Sequence, residues 1–391
     1  MVPLVPKFCL RTPIHRREKP VLKTTSDSER DATFYVPPPL DFLGALVDRF
    51  PALWLRLGRL ESSILSAELR EIALTSPIYV CGLARSGSTM LHEMVAAHPG
   101  VATHRIKDYP LIFTPYWWRQ ATAGLPATPP RQRPHRDRIV ITSESPDSLD
   151  EMLWMAFFPR SHDPSLSNVL RAEMRHSEFE SFYRSHIRKL LLAERASRYV
   201  AKANYHVARL SYLVRLFPDV KLLIPVRSPM GHIASLMRQH EWFSQGQRKH
   251  RRALAYMRRS GHFEFGLDRR PMNLGDSQRV QSILRAWASG QDIRGWARYW
   301  AMVYDHIASV LNTDDRVRQA ALVVRFERLC DAPAETLRTI LEHCGLPEVE
   351  RLIARFAPVI ATPDYYAHSF SPAELAIIQE ETASTARQWE C

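Results

Sequence analysis

A short apolar strand, a glycine-containing turn and a helix follow one another within residues 77–99, and this order constrains the fold more than any other feature of the chain. The predicted strand, Pro77–Cys81, has the apolar character of a strand that is buried in a parallel sheet. Gly82 begins the turn, and Pro99-Gly100 ends the helix. The segment therefore predicts an α/β unit whose turn can present its backbone to an anion.

The same alternation recurs along the chain. Strands are predicted at Tyr199–Lys202, Lys221–Val226 and Ala321–Phe326, and each is followed by a helical pattern. Ser145-Pro146 is expected to open a further helix, with serine at the cap and proline in the first turn. We therefore predict an α/β fold with a central parallel sheet, covered by helices on both faces.

The 391 residues fit one enlarged domain better than several. Residues 1–36 are basic and lack periodicity, so we expect an N-terminal arm before a domain at 37–391, with its core motifs in 77–345. Residues 241–295 interrupt the alternation and are expected to form a mainly helical insertion rich in arginine and aromatic residues. This insertion could close over a nucleotide, bind an anionic acceptor, contact another subunit or form a solvated basic face.

The formal net charge of +12 favours polyanionic partners, although a basic surface that only aids solubility is an equally simple interpretation. No apolar run reaches the roughly 18 residues that span a bilayer. The five cysteines form no CxxC pair, so neither a zinc site nor a redox motif is indicated, and a disulfide scaffold is not expected in a chain of this size. We expect a cytoplasmic protein without a membrane span. The oligomeric state stays open, a homo-oligomer included.

The turn, GLARSGST at residues 82–89, has the spacing of the ATP-binding pattern GxxxxGK[ST] with one difference. Gly82, Gly87 and Thr89 fit the pattern, but Ser88 stands where the lysine is required. A cation, Arg85, lies earlier in the turn. Because nucleoside triphosphates need that lysine and Mg²⁺, we expect a terminal group of lower charge, bound without a metal.

Together with PVRSPMGHIAS at residues 225–235, this turn resembles the two donor-binding motifs of the sulfotransferases that use PAPS (3′-phosphoadenosine-5′-phosphosulfate). Ala97-His98-Pro99 is similar to the bacterial type of this family. The resemblance implies a P-loop-like fold, PAPS as donor and PAP as product. It assigns the 3′-phosphate to Arg227 and Ser235. The 5′-phosphosulfate is assigned to residues of the turn, namely Gly82, Arg85, Ser86, Gly87, Ser88 and Thr89.

The resemblance also implies catalytic roles. Lys202, which ends the predicted second strand, matches the lysine that reaches the transferring group in this family. Related enzymes place a general base after the turn's helix, where Asp108 and His104 are the available groups. Asp108 would stay ionised beside basic neighbours, whereas a neutral histidine has the better intrinsic pKa. His206 is a further candidate, and each of the three could instead be structural.

A second group of acids, Glu144, Asp147, Asp150 and Glu151, lies near the start of a helix, where the helix dipole favours carboxylates. The alternative places Glu144 or Glu151 in the acceptor pocket.

Three functions follow from these patterns. The first is transfer of a sulfuryl group from PAPS to an unidentified hydroxyl or amine acceptor, with no nucleic-acid partner expected. The second is a P-loop-like kinase, against which Ser88 counts. The third is a protein without enzymatic activity that binds anions or nucleic acid through its charge.

Overall fold

The structure, a computed structural model, describes residues 33–135, 139–362 and 370–391. Within these residues a five-stranded sheet has the strand order β2-β5-β1-β6-β7, and every neighbouring pair is parallel. Strands β3 and β4 form a separate antiparallel hairpin. The strands are β1 (Ile78–Val80), β2 (Val101–Ala102), β3 (Arg131–Gln132), β4 (Val140–Ile141), β5 (Arg198–Lys202), β6 (Lys221–Val226) and β7 (Ala321–Arg325).

Helices make up most of the remaining described structure. They are α1 (Pro38–Arg49), α2 (Pro51–Ile64), α3 (Ser66–Glu71), α4 (Ser88–Ala96), α5 (Pro115–Thr122), α6 (Asp150–Phe157), α7 (Ser177–Glu194), α8 (Leu210–Leu216), α9 (Pro229–Lys249), α10 (Arg251–Arg259), α11 (Ser277–Ala288), α12 (Asp292–Thr313), α13 (Asp315–Ala320), α14 (Phe326–Asp331), α15 (Pro333–His343), α16 (Val349–Phe356) and α17 (Pro372–Gln388). Short 3-10 turns lie at Ile106–Asp108, Asn204–Arg209 and Ala357–Val359.

The alternation of side chains along β1 shows that the sheet is covered on both faces. Ile78 and Val80 pack into a core cluster with residues of α4 and α15. Tyr79 and Cys81 point the other way, into a cluster with residues of α6, α7 and α8. Successive side chains of a strand face opposite sides, so both faces are apolar and buried. The predicted α/β fold with a helix-covered parallel sheet is confirmed.

One expected helix start is wrong. Ser145 and Pro146 do not open a helix, because the chain there runs alongside residues 104–107. The backbone N–H of Ile106 donates to the Ser145 carbonyl, and Pro146 forms an antiparallel bridge with Arg105. Pairing with a distant segment satisfies these backbone groups, so the helix begins only at Asp150.

Residues 241–295 are largely helical, and they pack into the main body of the molecule. The predicted start of this segment lies inside α9, which continues from Pro229 to Lys249 without a break. Trp242 and Phe243 are buried and contact the ring of Phe34. Residues 1–32 of the predicted arm lie outside the described residues. In the described part of the chain, no helix is both long enough and apolar enough to cross a bilayer.

Candidate functional site

The carboxyl ends of three neighbouring strands bring the predicted donor residues to one edge of the sheet. Val80 pairs with Lys202 of β5 and with Leu223 of β6. The turn before α4 therefore leaves the sheet between the ends of β5 and β6. Arg227 follows the last residue of β6 directly. Open α/β sheets bind ligands at this edge.

Close packing explains both glycines of the turn. A Cβ on Gly82 would lie 2.7 Å from the Pro225 ring, and one on Gly87 would lie 2.8 Å from the Phe326 ring. Gly87 has a φ of +96° and caps the N-terminus of α4. Among the described residues, no group accepts a hydrogen bond from the backbone N–H of Gly87, Ser88 or Thr89. These donors and the helix N-terminus suit an anion.

The second predicted motif contacts the first. Arg85 Nε donates to the Ser235 hydroxyl at 3.0 Å, and Arg227 Nη1 donates to the Arg85 carbonyl at 3.2 Å. The Arg227 guanidinium carbon lies 4.6 Å from the centre of the Phe326 ring. Ser235 and Arg227 are both buried, and Trp300 Nε1 donates to the Arg227 carbonyl. Residues that are far apart in sequence thus form one cationic, hydroxyl-bearing cluster.

Lys202 supplies a third cation at the same edge. Its side chain is buried, yet in the part of the chain that the structure describes no group accepts a hydrogen bond from its Nζ. Burial lowers the pKa of Lys202 to about 8, and the charges of Arg133 and Arg85 add to this effect, while Glu264 and Asp147 oppose it. A buried ammonium without a hydrogen-bond acceptor suits an anionic ligand.

The groups that surround Lys202 come mostly from loops, and the sequence did not single most of them out for the site. Glu264 and His262 approach from the loop after α10, and Arg133 and His135 approach from the β3–β4 hairpin. The one available signal was Gly261-His-Phe-Glu-Phe-Gly266, a titratable pair between two glycines. Nothing in this pattern indicates its distance from Lys202, which depends on tertiary packing.

Two of the predicted general bases, Asp108 and His104, lie in a closed buried network. Asp108 Oδ2 accepts from Arg119 Nη2 at 2.6 Å, and Arg119 also pairs with Glu194. His104 Nε2 lies 3.1 Å from His186 Nε2. Although burial opposes ionisation of Asp108, the His104 ring, whose Nδ1 lies 3.6 Å from Oδ2, and the Arg119 guanidinium hold the pKa of this carboxyl well below the usual range. A carboxylate held in this way is a weak proton acceptor, and the assignment of either group as base stays a prediction.

The third predicted base, His206, is fully buried beneath the sheet edge. Its Nε2 lies 3.6 Å from Asp150, and its ring packs edge-on against Tyr79. Burial lowers the pKa of His206 to about 3, and the nearby charge of Arg209 adds to this effect. An acceptor would have to pass through packed core to reach this ring, so the geometry gives His206 a structural environment.

The second group of acids divides between the core and the surface. Glu151 is buried and accepts two hydrogen bonds from Arg209, at 2.6 and 2.8 Å. Asp150 is also buried among tyrosine hydroxyls. Glu144 is half-exposed and bonds Lys107 at 2.7 Å. Asp147 is the member whose charge acts on Lys202.

Comparison with known proteins identifies the segment that holds this cluster. Residues 77–268 match the model of the sulfotransferase family, a stretch that begins just before β1 and ends after Glu264. No curated protein matches the sequence.

The solved structures that match this chain include several sulfotransferases. Sulfotransferase STF1 from Mycobacterium tuberculosis H37Rv shares 16% identity and a TM-score of 0.49, over 88% of this chain and 86% of that one. Sulfotransferase STF9 from Mycobacterium avium shares 15% identity and a TM-score of 0.47, over 84% of this chain and 81% of that one. A sulfotransferase from Alicyclobacillus acidocaldarius shares 13% identity and a TM-score of 0.35, over 81% of this chain and 96% of that one.

Proposed function

We propose that this chain, which matches the sulfotransferase family through residues 77–268, transfers a sulfuryl group from PAPS to a hydroxyl or amine acceptor, with release of PAP. The observation that carries the proposal is the meeting of Arg85, Lys202 and Arg227 at one sheet edge, beside the backbone donors of the turn. PAPS has two anionic ends, a 5′-phosphosulfate and a 3′-phosphate, and this cluster offers cations and hydroxyl groups that could contact both.

The turn fits the 5′-phosphosulfate. The backbone N–H groups of Gly87, Ser88 and Thr89 lie at the N-terminus of α4, where the helix dipole favours a negative charge. Gly82 and Gly87 let the chain turn tightly enough to gather these donors. With Ser88 in the position of the ATP-binding lysine, the turn suits a terminal group of lower charge than a γ-phosphate.

Arg227 and Ser235 fit the 3′-phosphate. The Phe326 ring and the hydrogen bond from Trp300 to the Arg227 carbonyl hold Arg227 in place. A positioned guanidinium binds phosphate oxygens through two parallel hydrogen bonds. Ser235 adds a hydroxyl in the second turn of α9, and it is already within hydrogen-bond distance of Arg85. One arginine at each phosphate, with Ser235 between them, would fix the donor at both ends.

The transfer needs three contributions from the chain. The acceptor oxygen or nitrogen forms a bond to sulfur as the bond from sulfur to the bridging oxygen breaks, and that electron pair stays on the phosphate of PAP. Arg85 and the turn's N–H groups would stabilise the leaving phosphate. Lys202 would stabilise the sulfuryl oxygens, because with a pKa of about 8 it is mostly charged at neutral pH. Fixed positioning of donor and acceptor would contribute to the rate enhancement as well.

Thermal stabilisation by PAP tests the donor site before any acceptor is known. A ligand at 100 times its Kd adds about 2.7 kcal/mol to the free energy of unfolding. We expect PAP to raise the melting temperature, and ADP and adenosine 5′-monophosphate, which lack the 3′-phosphate, to raise it much less. An equal effect of PAP and ADP would contradict the assignment of Arg227 and Ser235.

An alanine variant tests whether Arg227 binds PAP. Arg227→Ala removes a charge-assisted contact of about 1.5–3 kcal/mol, which corresponds to about 10- to 150-fold in PAP affinity. Arg318→Ala is the matched control, since Arg318 is a surface residue of α13 that pairs only with Asp315 among the described residues. Titration calorimetry of both variants with PAP gives the comparison. Wild-type affinity in the Arg227 variant would show that this arginine does not hold the donor.

A further inference from the structure

The loop of residues 261–266 is fixed at the mouth of the donor site by contacts on both of its sides. The backbone N–H of His262 donates to the Met257 carbonyl at 2.8 Å, and that of Phe263 donates to the Tyr205 hydroxyl at 3.2 Å. Gly261 has a φ of +78°, and a Cβ there would lie 2.5 Å from the buried Glu151 side chain. Side chains on this loop therefore have defined positions.

Glu264 is attached to the end of β5 at the level of the donor turn. Val80 pairs with Lys202, so Gly82 and Asn204, each two residues further on, leave the sheet side by side. Asn204 Nδ2 donates to the Glu264 carboxylate. The carboxylate is thereby held next to the edge where the sulfuryl group would lie, and its charge acts directly on Lys202.

His262 pairs with this carboxylate and stays accessible. Its Nδ1 lies 3.5 Å from Glu264 Oε1, and the ring is 24% exposed. His104 and His206 are 1% and 0% exposed, so no acceptor can reach them. A proton on Nδ1 that faces a carboxylate leaves Nε2 as the basic nitrogen. Among the described residues, no group forms a hydrogen bond with His262 Nε2.

We propose that His262 is the general base that takes the proton of the acceptor, and that Glu264 is the positioning residue that orients its ring. This inference rests on the proposed function. As the acceptor oxygen bonds to sulfur, its proton moves to His262 Nε2, the bond from sulfur to the bridging oxygen breaks, and the electron pair leaves with PAP. The imidazolium that forms is stabilised by the Glu264 carboxylate, and its proton is lost to water after product release.

The charges around His262 set the pH at which it can act. Partial burial opposes protonation, but Glu264 and Asp147 outweigh both burial and the opposing charge of Lys202, so the pKa of His262 is raised above its ordinary value of 6.5. His135 is the other titratable group that faces it. The base is neutral only above this pKa. Turnover should therefore fall as the pH decreases through a value above about 6.5.

The main test compares His262→Gln with wild type in release of PAP from PAPS, with water as acceptor and with phenol, sugar and lipid hydroxyls. General bases contribute about 10²- to 10⁴-fold, so kcat should fall by that factor while the Kd for PAP stays unchanged. The matched control is His343→Gln. His343 is a half-buried histidine near the opposite edge of the sheet, where it bonds the Ala320 carbonyl, and its substitution should leave kcat unchanged.

Glu264→Gln separates positioning from mere structural support. Loss of the carboxylate lowers the pKa of His262, so the acidic limb of the kcat/KM profile should move to lower pH, with PAP affinity unchanged. A purely structural residue would lower the melting temperature without moving this limb. Titration of the His262 ring followed by NMR reports the same shift without turnover: a pKa above 6.5 in wild type should fall in Glu264→Gln.

The two proposals fail in different ways. If PAP does not stabilise the wild-type protein, the donor assignment is wrong. If PAP binds and PAP is released, but His262→Gln has wild-type kcat and an unmoved acidic limb, the base assignment alone is wrong. An unchanged His262 pKa in Glu264→Gln would show that the carboxylate does not act on the ring.

Discussion

At the residue scale, the site depends on the ring of Phe326, which lies between the backbone of Gly87 and the guanidinium of Arg227. The ring would be 2.8 Å from a Cβ on Gly87, and it stacks on Arg227 at 4.6 Å. One aromatic side chain thereby contacts both the turn and the arginine that follows β6. Both ends of the donor would be held by groups that touch this ring.

The first prediction concerns Gly87→Ala. A left-handed φ costs a residue with a Cβ about 1–3 kcal/mol, and the clash with Phe326 adds to this, so the free energy of unfolding and PAP affinity should both fall. Urea unfolding measures the change in the free energy of unfolding. Gly290→Ala, with φ +74° and no neighbour within 4 Å of the added Cβ, measures the effect of backbone strain without a clash. Gly124→Ala, where neither strain nor a clash is expected, is the baseline. A loss in Gly87→Ala no larger than in Gly290→Ala would show that the Phe326 contact is unimportant.

The second prediction concerns Lys202. The pKa of about 8 lies below the ordinary 10.5, so the ammonium loses its charge as the pH rises through 8, and kcat/KM should fall there. Lys202→Arg should remove this alkaline limb, because arginine stays charged. Since burial of the charge costs stability below pH 8, Lys202→Met should keep or raise the melting temperature while abolishing turnover. A marked loss of stability in Lys202→Met would instead indicate a structural role.

At the element scale, a buried ion pair ties α2 to α5 and α7. Lys189 Nζ lies 2.7 Å from Glu61 Oε2, and both side chains are at most 1% exposed. Glu61 also accepts from the Trp117 backbone N–H at 2.6 Å, and Lys189 donates to the Gly58 carbonyl. Burial raises the pKa of Glu61 and lowers that of Lys189, so desolvation outweighs their attraction. Such a pair orients helices more than it stabilises them.

The third prediction follows from this pair. Lys189→Met leaves the Glu61 carboxylate buried without its cation, so the free energy of unfolding should fall by about 3–5 kcal/mol. The double variant Lys189→Met with Glu61→Gln should recover most of this loss, because the introduced amide is neutral and its oxygen can still accept from the Trp117 N–H. Urea unfolding of the four proteins in the cycle measures the coupling. Equal losses in the single and double variants would contradict the explanation.

At the scale of the whole molecule, the basic segment 241–295 serves as part of the framework. Several of its arginines pair with acids of the same segment or of neighbouring helices, as Arg258 does with Asp268 and Arg259 with Asp41. Arg269 pairs with Asp292 and stacks on Trp287. A large part of the segment's charge is therefore matched inside the fold. The segment also carries His262 and Glu264 to the sheet edge, where their charges act on Lys202.

Local patterns in the sequence determined the elements and the donor motifs. The apolar runs of β1, β5 and β6 and the turn at 82–89 are local features, and parallel strands must bring their carboxyl ends to one edge. The contact of Arg85 with Ser235 and Arg227 follows from that rule. The periodicity of strands and helices and the conformational freedom of glycine depend on only a few neighbouring residues. They can therefore be recognised in the sequence before the fold is known.

Tertiary structure alone decided where the helix near residue 146 begins and which ionisable groups lie near the predicted donor residues. Asp108 and His104 follow the turn's helix closely in sequence, yet Arg119 and His186 enclose them in the core. Glu264 lies 60 residues after Asn204, yet the two side chains are in contact. The pKa and the accessibility of a side chain depend on groups contributed by distant segments, and no local pattern specifies them. For that reason the sequence could predict a donor site but could not select a base.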